Sequence, residues 1–137
     1  MSIQLTNQCA APELTTDFVK KVYAQTGKQV RYPKAFAVSI VMVSDREMKK
    51  LNTHYRHVNE VTDVLSFPYE DEGGEVVIDY SQAKRQAKSK QTSVQHELSW
   101  LLIHGILHVL GYDHETAHDA KIMRPLERTI LATIWSH

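Results

Sequence analysis

The segment from Ser93 to His114 constrains this chain more than any other stretch, because an apolar helical run there carries histidines at fixed spacing and ends on a glycine. Residues four apart in a helix lie on nearly one face, with Cβ atoms ~5–6 Å apart, so His104 and His108 can aim nitrogens at one point. Leu101, Leu102, Ile106, Leu107 and Leu110 surround them, so the helix is expected to be largely buried, and buried imidazoles need a partner. Gly111 permits the left-handed backbone that stops a helix and turns the chain back, which delivers His114 as a third ligand. The pattern His-x3-His-x5-His thus supplies three protein ligands and leaves a fourth tetrahedral position to water, as in catalytic rather than structural zinc sites. Zinc brings the pKa of bound water to ~7 and polarises carbonyl or phosphoryl oxygens, so a hydrolase is expected.

The same spacing occurs in metallopeptidases carrying His-Glu-x-x-His-x-x-Gly-x-x-His, where the glutamate after the first histidine is the general base. Here that position is Gly105. Loss of a proton shuttle costs roughly 10²–10⁴-fold in rate, so the pattern fits a metal site without fitting a peptidase. Asp113 and Glu115 flank the third histidine and are candidates to orient a ligand imidazole, or else exposed turn charges. His118 is an alternative to His114 as third ligand.

Composition sets the frame around this site. A chain of 137 residues, 42% hydrophobic and 23% charged, suits one compact domain with a core of its own. Ahead of residue 12 there is no basic start followed by an apolar run, and no stretch approaches the ~20 apolar residues that span a bilayer, so a cytoplasmic setting without membrane contact is expected. Cys9 is the single cysteine, which excludes an intrachain disulfide. Sixteen basic and sixteen acidic residues cancel, so the distribution of charge matters more than its sum. Lys84, Arg85, Lys88 and Lys90 form one basic stretch and Lys20, Lys21, Lys28, Arg31 and Lys34 a second, read either as solvated helix faces or as a phosphate track. Five of the eight histidines, His96, His104, His108, His114 and His118, fall in one short segment.

The remaining pattern gives the fold class. Ser2 to Gln8 alternates as a half-buried strand, and Thr15 or Thr16 caps an amphipathic helix running to Gly27. Phe36 to Val43 is rich in β-branched residues and reads as a buried strand, after which Ser44 and Glu47 form a capping box for a helix carrying Met48, Leu51 and Tyr55. Val61 to Phe67 supplies a strand ended by Pro68, Glu70 to Gly74 a turn, and Glu75 to Asp79 another strand. Helices follow from Tyr80 to about Lys88, from about Ser93 to Leu110 and from about Ala117 to Ile134. The expected architecture is a single α+β domain over residues 1–137, with about four strands packed by five or six helices and the zinc site on a C-terminal helix and the turn after it.

The run His104-Gly105-Ile106-Leu107-His108-Val109-Leu110-Gly111-Tyr112-Asp113-His114 resembles the signature of the YbeY family of bacterial rRNA-maturation endoribonucleases. Leu51-Asn52 with Tyr55-Arg56 agrees, as do Thr62-Asp63-Val64-Leu65-Ser66-Phe67-Pro68, Gly74-Glu75-Val76-Val77-Ile78, and Met123 with Glu127. The resemblance spans roughly Phe36 to the carboxyl end, with the amino third matching in pattern only. It implies an α+β fold with the zinc tripod at one end of a cleft, single-strand endoribonuclease activity, and roles in 3′-end maturation of small-subunit rRNA and in ribosome quality control. It also implies single-stranded RNA, the small ribosomal subunit or its assembly factors as partners, with no DNA expected. Arg56 is marked as a functional arginine, and a guanidinium opposite the zinc would bind a phosphate and stabilise a phosphorane-like transition state. Val61, Glu75 and Trp100 stand where proline, aspartate and histidine are common, and none touches the tripod. Trp100 lies one helical turn before His104, where it can alter the pocket lining. Asp63 and Ser66 are read either as cleft residues or as hydrogen-bonding anchors of their loop. The competing readings are a metal hydrolase acting on a substrate other than RNA, and a zinc-stabilised, non-catalytic ribosome-assembly factor.

Overall fold

The computed structural model describes residues 2–57, 62–69, 72–112 and 116–135. Within them the chain runs β1 (Ser2–Asn7), α1 (Thr16–Gly27), β2 (Ala37–Val43), α2 (Asp45–Arg56), β3 (Val64–Pro68), β4 (Gly73–Asp79), α3 (Tyr80–Lys90), α4 (Val94–Val109) and α5 (Ala117–Trp135). Four strands and five helices make an α+β fold, as expected from the patterning. The strands lie in the order β1-β2-β4-β3, with β1, β2 and β4 parallel and β3 antiparallel at one edge. Ser66 pairs with Val76 and Leu65 with Val77, so alternate residues of β3 and β4 share a face.

The two faces carry different cargo. Val38, Ile40 and Met42 of β2 and Val76 and Ile78 of β4 join α1, α4 and α5 in the main core. The other face, with Val43, Leu65 and Val77, packs on Met48 and Leu51 of α2, and Phe67 borders that smaller cluster. α4 buries most of its circumference, with Leu98, Leu101, Leu102, Ile103, Ile106 and Leu107 in the core, and leaves one side with Trp100, His104 and His108 partly exposed.

Side-chain caps set the helix starts where the sequence indicates. Thr15 accepts from Phe18 N, Ser44 from Glu47 N, Asp79 from Gln82 N and Ser93 from His96 N. β4 begins two residues earlier than the strand read from sequence, because Gly73 and Gly74 pair with Ala37 and Val38 instead of finishing the turn. A Cβ on Gly74 would collide with Phe67 O and with Val109 of α4, so that corner closes only without a side chain. Val61, and Glu70 and Asp71 of the turn expected over Glu70 to Gly74, lie outside the described residues. Among the described residues no helix is long and apolar enough to cross a membrane.

Candidate metal and active centre

The histidine site is built by α4 and completed by α5. Gly105 packs against β4 so closely that an added Cβ would overlap Val76 Cγ1, and Ser66 Oγ donates to Gly105 O at 3.2 Å. This approach fixes the roll of α4 about its axis. With Gly105 against the sheet, His104 and His108 are each partly exposed on another side of the helix.

Their rings lie 4.5 Å apart at 62°, and the two Nε2 atoms face each other at 3.1 Å. On the far side of His104, Nδ1 lies 2.7 Å from Glu127 Oε2. Glu127 is only 2% exposed, on the stripe of α5 that also buries Met123, Ile130 and Ile134. A carboxylate is an acceptor, so Nδ1 carries a proton and donates it, and in the neutral ring Nε2 then keeps the lone pair that faces His108. Two imidazole nitrogens so placed suit a divalent transition metal: nitrogens ~2.0–2.1 Å from one tetrahedral ion lie roughly 3.3 Å apart, close to the observed spacing. Among the described residues no group of three or more His, Cys, Asp and Glu side chains is placed to hold an ion. The third expected ligand, His114, lies outside the described residues, as do Asp113 and Glu115.

The approach to His114 is described. α4 ends at Val109 with Leu110 as its C-cap, Gly111 takes φ +104°, Gly111 N donates to His108 O at 3.0 Å and Tyr112 N to Leu107 O at 2.9 Å. This double bond pattern is the Schellman stop anticipated at Gly111. It satisfies the last carbonyls of α4 beside His108 and reverses the chain immediately before residue 113.

The other expected residues divide. Trp100 packs beside His104, ring centroids 6.3 Å apart, and so lines the site as its helical spacing implies. Arg56 is exposed at the last turn of α2, on the sheet face opposite α4; the left-handed His57 ends that helix. α2 runs antiparallel to β2, so its carboxyl end lies at the same end of the sheet as Gly73 and Gly74. Arg56 and the histidines therefore share one end of the molecule, with the edge strand β3 between them. His118 is exposed in the first turn of α5. Ser66 and Asp63 are anchors: Ser66 ties β3 to α4, while Asp63 accepts from Val64 N at 2.8 Å and from Gln86 Nε2 at 3.3 Å.

Glu127 is the residue whose role sequence reasoning missed. It stood out only as part of a motif, and its signal was a carboxylate at helical spacing from Met123, Ile130 and Ile134, on a stripe that has to be buried.

A family model described as endoribonuclease YbeY matches residues 3–135, reaching back through the amino third beyond the Phe36 boundary read from sequence. The endoribonuclease YbeY of Thermodesulfovibrio yellowstonii is 43% identical over 113 residues, covering 77% of this chain and 71% of the relative. That of Lacticaseibacillus casei is 36% identical over 129 residues, covering 85% of each. A solution structure of a Thermotoga maritima protein superposes with a TM-score of 0.73 at 29% identity, covering 98% of this chain and 89% of that one. The chain belongs to the YbeY endoribonuclease family.

Proposed function

We propose that this protein is a zinc-dependent, single-strand-specific endoribonuclease that matures the 3′ end of small-subunit rRNA and takes part in ribosome quality control in the cytoplasm. The observation that carries the reading is the facing pair of Nε2 atoms, 3.1 Å apart, with Glu127 behind one of them. His104, His108 and His114 would hold one zinc ion, which when bound supplies a nucleophilic hydroxide at neutral pH and Lewis acidity toward a phosphoryl oxygen.

The chain's own groups do the rest. Glu127 holds the proton on His104 Nδ1, which keeps Nε2 a donor of electrons and fixes the ring plane. Trp100 lies along one side of His104 and lines the site there. Arg56 binds the RNA backbone, since a guanidinium offers a fork of N–H donors to phosphate oxygens and stays charged throughout. Gly105 argues against the peptidase reading on steric grounds as well as chemical ones, because Val76 occupies the space a glutamate there would need.

The test is 3′-end mapping of rRNA in cells carrying wild type, His108→Ala or Arg56→Glu. Both variants are expected to accumulate unprocessed 3′ ends; unchanged ends in both would overturn the catalytic model. Product ends refine it: a 2′,3′-cyclic phosphate marks attack by the substrate's own 2′-hydroxyl, and its absence marks direct hydrolysis.

A further inference from the structure

The charge and aromatic content of α2 point to something the catalytic site does not use. Arg46, Lys49, Lys50, Thr53 and His54 recur at helical spacing along its outer face and line a shallow depression of about 450 Å³. All five are exposed. From Asp45 to Arg56 the helix holds four cations, Arg46, Lys49, Lys50 and Arg56, against two carboxylates, Asp45 and Glu47. Asp45 is already engaged by both terminal nitrogens of Arg85, at 3.0 and 2.8 Å. Glu47 meets Lys50 only at 3.8 Å, with both side chains solvated. Among the described residues Arg46 and Lys49 have no acidic partner.

The neighbouring basic helix behaves differently. On α3, Arg85 is bound to Asp45, Lys90 lies 3.0 Å from both oxygens of buried Glu97, and Lys84 caps the Tyr80 ring at 4.7 Å. Three of its four cations are thus engaged within the protein and, among the described residues, Lys88 alone of them is exposed without a contact of this kind, whereas on α2 Arg46, Lys49 and Lys50 all face outward.

Aromatic rings adjoin the α2 stripe. Tyr55 continues the inward stripe of Met48, Leu51 and Asn52, yet it is 58% exposed, because at the carboxyl end of α2 that stripe overhangs the edge of the sheet. Its ring meets Phe67 of β3 edge-on at 5.0 Å and His54 at 4.6 Å. Tyr69, immediately after β3, is 46% exposed. Two of the three exposed large hydrophobic side chains among the described residues therefore flank β3, the edge strand lying between the histidines and α2.

We infer that single-stranded RNA leaving the histidine site crosses the outer edge of β3 and lies along α2, with bases stacked on Tyr55 and Phe67 and phosphates on Lys49, Lys50 and Arg46. This rests on the endoribonuclease reading and adds to it a binding subsite for the flank of the cleaved strand. The exposed Tyr55 ring, with the half-buried Phe67 beside it and solvent-facing cations along the same helix, matches what unpaired RNA offers, since every base has a face to stack and every nucleotide a negative charge. Stacking of this kind tolerates any sequence, so the subsite selects single strands and length rather than particular bases.

The test compares cleavage of a 4-nucleotide and a 16-nucleotide single-stranded RNA by zinc-loaded wild type, Tyr55→Ala, and the double variant Lys49→Ala/Lys50→Ala. On the longer RNA both variants are expected to lose about 10-fold or more in kcat/KM, mostly through KM, since one stacked base is worth ~1–3 kcal/mol. On the shorter RNA they are expected to match wild type. The lysine variant should also flatten the dependence of log KM on log salt for the longer RNA by roughly 1.4, at ~0.7 per phosphate contact. The lysine substitutions alter only exposed side chains and so keep the test valid if Tyr55→Ala misfolds. Wild-type values on both RNAs would overturn the subsite and leave the endoribonuclease reading intact, as would equal losses on both. Failure of wild type to cleave either RNA would overturn the underlying reading instead.

Discussion

Glu127 and Asp79 are both carboxylates buried in the same small fold, one beside the histidine pair and the other at the carboxyl end of β4. Glu127 meets a donor: its Oε2 takes the Nδ1 proton of His104 at 2.7 Å. Asp79, with no exposed surface, accepts from Gln82 N through Oδ1 at 3.0 Å, while Oδ2 receives no hydrogen bond among the described residues. Beside it lies a second carboxylate, Asp45, itself held down to about 2 chiefly by its hydrogen bonds to Arg85. Burial, reinforced by Asp45, pushes Asp79 from 3.8 up to about 7. A buried acid given a donor becomes a positioning device, and one set against another acid becomes a proton store. The first aims a nitrogen; the second caps a helix and makes folding depend on pH.

Substitutions separate the two roles. The largest effect is expected from His108→Ala, which removes one of the facing nitrogens. Cleavage of single-stranded RNA should fall beyond the ~10–100-fold typical of losing an outer partner, and bound zinc measured by elemental analysis should fall with it. Glu127→Gln comes next. The amide still reaches His104 but no longer presents a carboxylate, so zinc affinity by competition with a chelator should weaken ~10–100-fold while the thermal midpoint moves little. If zinc affinity holds and only stability drops, Glu127 belongs with Asp79 as an architectural acid and the contrast fails.

Gly105→Ala probes the contact that sets the roll of α4. Forcing a methyl group into Val76 should cost ~1–3 kcal/mol in chemical denaturation. Activity should drop as well if the histidines turn with the helix. The smallest effect is expected at Asp79. Its folded pKa is raised above the unfolded value, so the folded state holds a proton more tightly, and the contribution of Asp79 to stability is fully present below about pH 4 and is lost as pH rises from 4 to 7. Asp79→Asn keeps a capping side chain and removes the charge, so it should flatten that decline and raise stability at pH 8 by about 1 kcal/mol. Zinc affinity should be untouched. An unaltered pH profile would mean that Asp79 is not the proton store.

What the sequence made legible follows the range of the interactions involved. The α4 start at Ser93, its stop at Gly111 and the i, i+4 placement of His104 and His108 are set within a few residues, and each is found where spacing put it. The strand and helix order is equally local in origin. Glu127 was hidden because its contact joins residues 23 apart on two helices, and only the docking of α5 on α4 creates it. Asp79 was hidden for a similar reason, since the pairing of β2 with β4 brings Asp45 to it. The α3 lysines and arginine stood out as a basic run, but a run cannot reveal that Arg85 and Lys90 are paired with Asp45 and Glu97 from elsewhere in the chain. Conversely, Asp45 and Glu47 diluted the α2 cations in sequence, although the helix turns most of those cations to one side.

The fit of Gly105 against Val76 also bears on how this site can change over evolutionary time. The spacing of its histidines is shared with enzymes that cut peptides, which carry glutamate where this chain has glycine. Here that residue is barred by the sheet behind the helix: the new side chain would have no volume to enter until residue 76 had already become smaller. A glutamate at 105 therefore calls for a second, prior substitution at Val76, and the packing of one glycine makes the two positions a coupled pair.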